Sequence, residues 1–204
     1  MSGYLVQGMN AVSPYRRVLL AVAFLVSAQF VLAQFPVDLN HASSDAQPAQ
    51  IRELVSKYCR TEYEGARLDQ QSWSKIQPLV WWRSSPEYTQ IDVISRYTVD
   101  NEPESNHGKY TVAVHYHLLG IYDLATGYVP EPGGTTQDVS FLVTSENTEW
   151  RISDAENTYP HPSRAAMLKW LNDKISTTQD DAAKARYQDA LKQLQAQSAS
   201  PFAK

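Results

Sequence analysis

Residues 110–122, YTVAVHYHLLGIY, decide the fold class. Val112, Val114, Tyr116 and Leu118 alternate with Ala113, His115 and His117, the period of two that puts apolar side chains on one face of a strand and polar ones on the other. Upstream, 88–99 has the same β-branched and aromatic character, with Ile91, Val93, Tyr97 and Val99 on one face. Asp100–Pro103 and Asn106–Gly108 supply turn chemistry between the two, so they are expected to pair as a hairpin. Downstream, 123–136 carries Gly127, Pro130, Pro132, Gly133 and Gly134 and reads as a long loop. Such a loop serves as a lid, a binding edge or a plain crossing. Residues 137–144 and 149–153 flank Ser145–Thr148 as a second hairpin, carrying Val139, Phe141, Val143, Trp150 and Ile152. Four antiparallel strands are therefore expected.

Helical spacing surrounds this block. Ile51, Leu54, Val55 and Tyr58 fall on one stripe, predicting a helix from Pro48 to about Leu68. A second helical piece is expected over 69–80, capped by Asp69 or Ser72, with Trp73, Ile76 and Val80 inward and Pro78 ending or kinking it. After Tyr159-Pro160-His161-Pro162, a stiff connector, Met167, Leu168, Leu171 and Ile175 mark a helix over 163–175. Thr178–Asp181 reads as a fresh N-terminus, and Ala183, Tyr187, Ala190, Leu191 and Leu194 form a thin stripe suited to folding back on its neighbour or to a homodimer contact. The expected class is α+β: N-terminal helices packed on a curved antiparallel sheet of four or more strands, with an added C-terminal helical pair.

This order resembles the NTF2-like, cystatin-like α+β cone. The resemblance rests on 51–59, IRELVSKYC, as the long first helix, on 73–82 as the second, and on hairpins ending in 148–154, TEWRISD. It covers about 48–155 and leaves the C-terminal helical pair outside the usual pattern. It implies a family of small-molecule isomerases, dehydratases and hydrolases alongside ligand-binding and protein-interaction modules, with no invariant catalytic motif to carry over. Fold analogy does not choose among these.

The N-terminus suggests export. Arg16 and Arg17 precede the apolar run 18–32 and a small-residue site at Val31-Leu32-Ala33, the order of a signal peptide. The run is short for a spanning helix, which needs roughly 20 apolar residues, and Gln34 rather than cysteine follows the cleavage point, so no stable membrane anchor is expected after cleavage. The organisation expected is a signal peptide (1–33), a flexible leader (34–47), an NTF2-like domain (48–160), a C-terminal helical extension (161–197) and a frayed tail (198–204), in a periplasmic or extracellular protein. Cleavage would remove two arginines and no acid from a chain of formal charge −4. An acidic product argues against a nucleic-acid surface. Cys59 is the only cysteine, so no intramolecular disulfide is available.

Chemistry-bearing residues are sparse. His115 and His117 leave the same strand face, as two metal ligands would, but no spacing fixes a third among Asp154, Glu156 and His161. The competing reading is a histidine pair on a semi-polar sheet face. A histidine such as His117 paired with Asp154 would suit general acid/base work, yet nothing in the spacing makes them meet. Trp73, Trp81, Trp82, Tyr97, Tyr116 and Trp150 would line an apolar pocket or simply fill the core. Adjacent Trp81 and Trp82 should face opposite sides, one toward the cone and the other toward a partner or the C-terminal helix. Cys59 lies beside the first helix's stripe and reads as a buried, inert thiol.

The leading expectation is an exported, non-catalytic module binding a small apolar ligand or a protein partner through a concave aromatic face. Tyr58, Trp73, Trp82, Tyr97, His115, Tyr116, His117 and Asp154 are its candidate ligand-binding residues, with no catalytic residue, metal or cofactor expected. Alternatives are a small-molecule enzyme using a His/carboxylate pair inside the cone, and a self-associating structural subunit.

Overall fold

A computed structural model describes residues 39–84, 87–155 and 159–197, with side chains from 47 onward. The expected signal peptide, the first five residues of the leader and the tail lie outside the described residues. From Ser43 onward the described chain belongs to one compact unit. The architecture is α+β, an open antiparallel sheet with helices from both ends of the chain.

Helix α1 spans Leu39–Tyr63 and includes Pro48. It begins nine residues before the expected start, so the second half of the leader is helical, and Pro48 withholds the N–H that Ser44's carbonyl would otherwise accept. The helix stops short of Leu68: Gly65, at φ +91°, takes the left-handed conformation that ends it. Two 3₁₀ turns follow, Gln70–Lys75 and Gln77–Leu79, with Asp69 accepting the Gln71 N–H as their cap and Pro78 in the second turn. The second helical piece is thus two short turns, not one α-helix.

The sheet contains β1 (Gln90–Val99), β2 (Glu104–Asn106), β3 (Lys109–Asp123), β4 (Gly127–Pro130), β5 (Thr136–Glu146) and β6 (Glu149–Ala155). Its order is β1-β3-β5-β6, with β2 and β4 also paired to β3. β3 is the spine: one edge carries β2 then β1, and the other carries β5 then β4. The stretch read as a loop over 123–136 therefore contains a strand. Asp123 closes its turn by accepting N–H groups from Ala125 and Thr126, and Gly127 supplies a φ of +104°. Two hairpin turns use positive φ at both central residues, His107-Gly108 and Asn147-Thr148, the twist that matches right-handed strands.

Register slips between Val93 and Ile94, and between Ile94 and Arg96, interrupt the β1–β3 ladder. A one-residue slip sends the side chains that follow to the other face. Ile94, Tyr97, Val112, Val114 and Tyr116 consequently pack in the cluster that includes α1, while Ile91, Val93, Leu119 and Tyr122 pack in a second cluster. That second cluster is closed by α2 (Arg164–Thr177), capped by Ser163, and α3 (Asp181–Ala196), capped by Asp180. The stripe of α3 folds back within the chain, burying Ala183, Ala190 and Leu194.

The connector Tyr159–Ser163 runs beside β1: Asp92 and Ile94 donate N–H bonds to the carbonyls of Pro160 and Pro162. On the far side, Val80 bridges Ile152. Trp82 turns to Tyr58 in the core, whereas the Trp81 ring lies under the Arg151 guanidinium at 4.6 Å and its N–H donates to the Thr144 carbonyl. Arg151 on β6 is the side chain that lies over the outward tryptophan.

Candidate functional site

The aromatic residues expected to line a concave face pack against one another. Tyr58 meets Phe141 and Trp82 edge-on at 5.3 and 6.5 Å between ring centroids, Tyr97 meets Tyr63 and Tyr116, and Trp150 meets Tyr110. Tyr116 is fully buried and shares a 3.4 Å contact with the Cys59 thiol. Burial pushes the Cys59 thiol and the Tyr58 and Tyr116 hydroxyls well up from their ordinary values, so all three stay protonated at neutral pH. Cys59 lacks the thiolate that a nucleophile needs.

His115 and His117 stand on the opposite face of β3. The two ring nitrogens of His115 face Asp138 at 2.7 Å and Asp100 at 3.1 Å, and these bonds hold its pKa above the ordinary value. His117 faces Thr136, and desolvation followed by the charges of Arg96 and His115 lowers its pKa. Asp154 pairs in register with Leu142, which in turn pairs with Thr111. That leaves it six strand positions from His117, about 20 Å along the sheet. With Thr111, Ser140, Leu142 and Ala155 it borders a hollow of about 200 Å³. The His117–Asp154 pairing therefore does not form, and among the described residues no group of three His, Cys, Asp or Glu side chains is arranged to hold a metal. Glu156 lies outside the described residues.

The histidine the fold does pair with acids is His161. It is 2 % exposed, and its ring stacks on Tyr116 at 3.9 Å and 8°. Its Nδ1 lies 3.7 Å from Glu62 Oε2, and its Nε2 lies 3.7 Å from Asp92 Oδ2 and 3.2 Å from Gln137 Oε1. Arg67 completes the cluster by donating to Glu62 Oε1 at 2.9 Å and to the Tyr159 carbonyl at 3.2 Å. Burial acts to raise the Glu62 carboxyl, and the bond and charge from His161 together with Arg67 outweigh it, leaving Glu62 below its ordinary value. Burial opposes the Arg67 charge as well, and Tyr58 and Glu62 more than offset it. Both His161 ring nitrogens face protein oxygens, so neither is open to a substrate.

Sequence reasoning placed His161 in a connector and missed Glu62, Arg67 and Asp92. Strict alternation would put Asp92, between Ile91 and Val93, on a solvated face. The missing signal is that both faces of β1 are covered, which leaves Ile91, Asp92, Val93 and Ile94 all buried.

Arg67 also links this interior to a cavity of about 580 Å³, walled by Ala66, Leu68, Trp73, Arg83, Tyr88 and Lys174 among others. Its volume is within the range of small-molecule sites. The turn after α1, the first 3₁₀ turn, the segment leading to β1, and α2 each contribute. Trp73 is 9 % exposed, and its indole N–H is buried without an acceptor, as is that of Trp82 in the core. Such a donor costs about 1–3 kcal/mol until it is satisfied. A second hollow of about 390 Å³ shares Leu68, Glu87, Tyr88 and Lys174 with the first and adds Leu124, Trp170 and Tyr187. Of the residues expected to bind a ligand, Trp73 alone borders this groove. Compared with family models, curated proteins and solved structures, the chain matches none.

Proposed function

We propose that the chain is an exported, NTF2-like binding module whose small-molecule ligand occupies the groove between Trp73, Arg83, Tyr88 and Lys174. One observation carries this reading: a cavity of about 580 Å³, within the range of small-molecule sites, is bordered by the Trp73 and Tyr88 rings and by the cationic side chains of Arg83 and Lys174. The aromatic rings first expected to form the pocket instead pack on one another, which favours the groove over them as the ligand's place. Arg16, Arg17 and the apolar run that follows support export.

The test is native mass spectrometry of the mature protein recovered from the exported fraction, joined to ¹⁵N NMR of the five tryptophan indoles. A small organic molecule released on denaturation, with the Trp73 indole signal shifting when it is added back, is the expected result. A released molecule that moves only other indoles would place the site elsewhere.

A second reading, general acid/base catalysis, draws on His161 between Glu62 and Asp92. It requires substrate to displace Gln137 from Nε2. A turnover assay abolished by His161→Gln in a variant of unchanged stability would favour it over the binding module.

A further inference from the structure

We infer that the Tyr159–Ser163 connector is a pH-sensitive clasp: the fold seats His161 as an imidazolium, and loss of its second proton releases the segment from the edge of β1. The inference concerns the interior cluster and stands whether or not the groove holds a ligand.

Hydrogen-bond chemistry sets the charge of the ring. Nδ1 faces Glu62 Oε2 at 3.7 Å, while Nε2 faces Gln137 Oε1 at 3.2 Å and Asp92 Oδ2 at 3.7 Å. A neutral imidazole carries one N–H, so its other nitrogen would set a lone pair against oxygen lone pairs in a site 2 % exposed. Asp92 presents an oxygen to Nε2 whichever way the Gln137 amide lies. The surrounding charges agree. Around the ring stand Tyr58, Cys59 and Glu62 from α1, Arg67 from the turn that follows, Asp92 from β1 and Tyr116 from β3, with the neutral Gln137 from β5. Burial keeps the thiol and the two hydroxyls protonated. Among these described groups, two carboxylates stand against one guanidinium, and an imidazolium supplies the second positive charge.

His161 is also the side chain that keys the connector to α1, β1, β3 and β5 at once. Pro160 and Pro162 have no N–H, so at those residues the segment only accepts, from the Asp92 and Ile94 N–H groups at 2.9 and 3.0 Å. The Ser163 N–H donates to the Tyr63 carbonyl at 2.8 Å. Contacts that favour the charged ring hold at low pH and are lost as pH rises through the titration of the ring in the fold. Ser163 caps α2, so release frees the entry of the helix whose Lys174 walls the groove.

The experiment follows the ring nitrogens of His161 by ¹⁵N NMR in the whole protein from about pH 6 to about pH 10. His161→Gln identifies its signals among the five histidines. Alongside, hydrogen exchange of the Asp92, Ile94 and Ser163 amides is divided by the intrinsic rate at each pH. Both nitrogens should be protonated at the acid end, and protection of the three amides should fall together by roughly tenfold or more as the ring loses its proton, while the Val112 and Val114 amides of β3 keep theirs. Asp92→Asn should move the fall at Ile94 and Ser163 to lower pH by about one unit. The unsubstituted protein decides by itself. A ring with one bare nitrogen at the acid end while the three amides are protected, or protection unchanged through the ring's titration, would overturn the clasp. So would equal loss at Val112 and Val114, which is unfolding of the whole sheet.

Discussion

Arg67→Met isolates the interior charge cluster. The substitution keeps a long apolar stem but removes the guanidinium that lies 2.9 Å from Glu62, itself 1 % exposed. Removing one partner of a buried ion pair leaves an uncompensated charge and typically costs about 3–5 kcal/mol. For a domain of this size that lowers the melting temperature by about 10 °C. The pH dependence gives a sharper check. In the native protein the Glu62 carboxyl is held below its ordinary value, so it contributes stability that is present above the unfolded-state carboxyl pKa and is lost as pH falls through the lower folded-state value. Without Arg67 the burial effect, which raises the pKa, gains ground, and Glu62 takes up a proton more readily. The deficit of the variant should therefore shrink between pH 8 and pH 5. Urea unfolding followed by tryptophan fluorescence measures both quantities. A variant within about 1 kcal/mol of the parent at pH 8, or a deficit that grows on acidification, would refute the role given to the Arg67–Glu62 pair.

Three further outcomes are expected. Gly120→Ala would place a methyl 2.3 Å from the Tyr128 hydroxyl, which is tied to Gln197 at 2.6 Å; a loss of about 1–3 kcal/mol in urea unfolding is expected, partly restored by adding Tyr128→Phe. In an NMR titration, His117 should lose its proton at lower pH than His115, and Asp138→Asn should narrow the gap; the raised His115 pKa means that its carboxylate bonds stabilise the fold at low pH and fade as pH rises through the folded-state value, and a reversed titration order would contradict the assigned contacts. Cys59, 1 % exposed, should resist iodoacetamide at pH 8 in the native protein and react fully in urea; rapid native alkylation would show that the α1 face opens.

The α+β class was legible because β3 announces its inward face by alternation from Val112 to Leu118, and because the C-terminal helices carry their own caps at Ser163 and Asp180. Strand β4 was hidden by Pro130 and by the glycines around it, which signal a loop whenever pairing is not visible. The start of α1 was hidden by Pro48, a residue more often found in a first turn than inside a helix. The site was less legible than the fold. A period-two reading assigns one face of a half-buried strand to solvent, and β1 breaks that assumption by being covered on both faces where Asp92 enters the interior. Trp73 was identified as a candidate from its residue type. Its neighbours Arg83, Tyr88 and Lys174 come from separate segments, and no local spacing relates them.

The interior cluster also sets an order of events during synthesis. Glu62 and Asp92 leave the ribosome well before His161, the ring that sits between them. About 100 residues separate Glu62 from His161 and about 70 separate Asp92 from it, so at roughly 5–20 residues per second the carboxylates wait about 5–20 s and about 3–14 s respectively. Until then β1 also lacks the Tyr159–Ser163 segment that pairs beside it. The nascent chain therefore cannot complete its fold until most of it has been made.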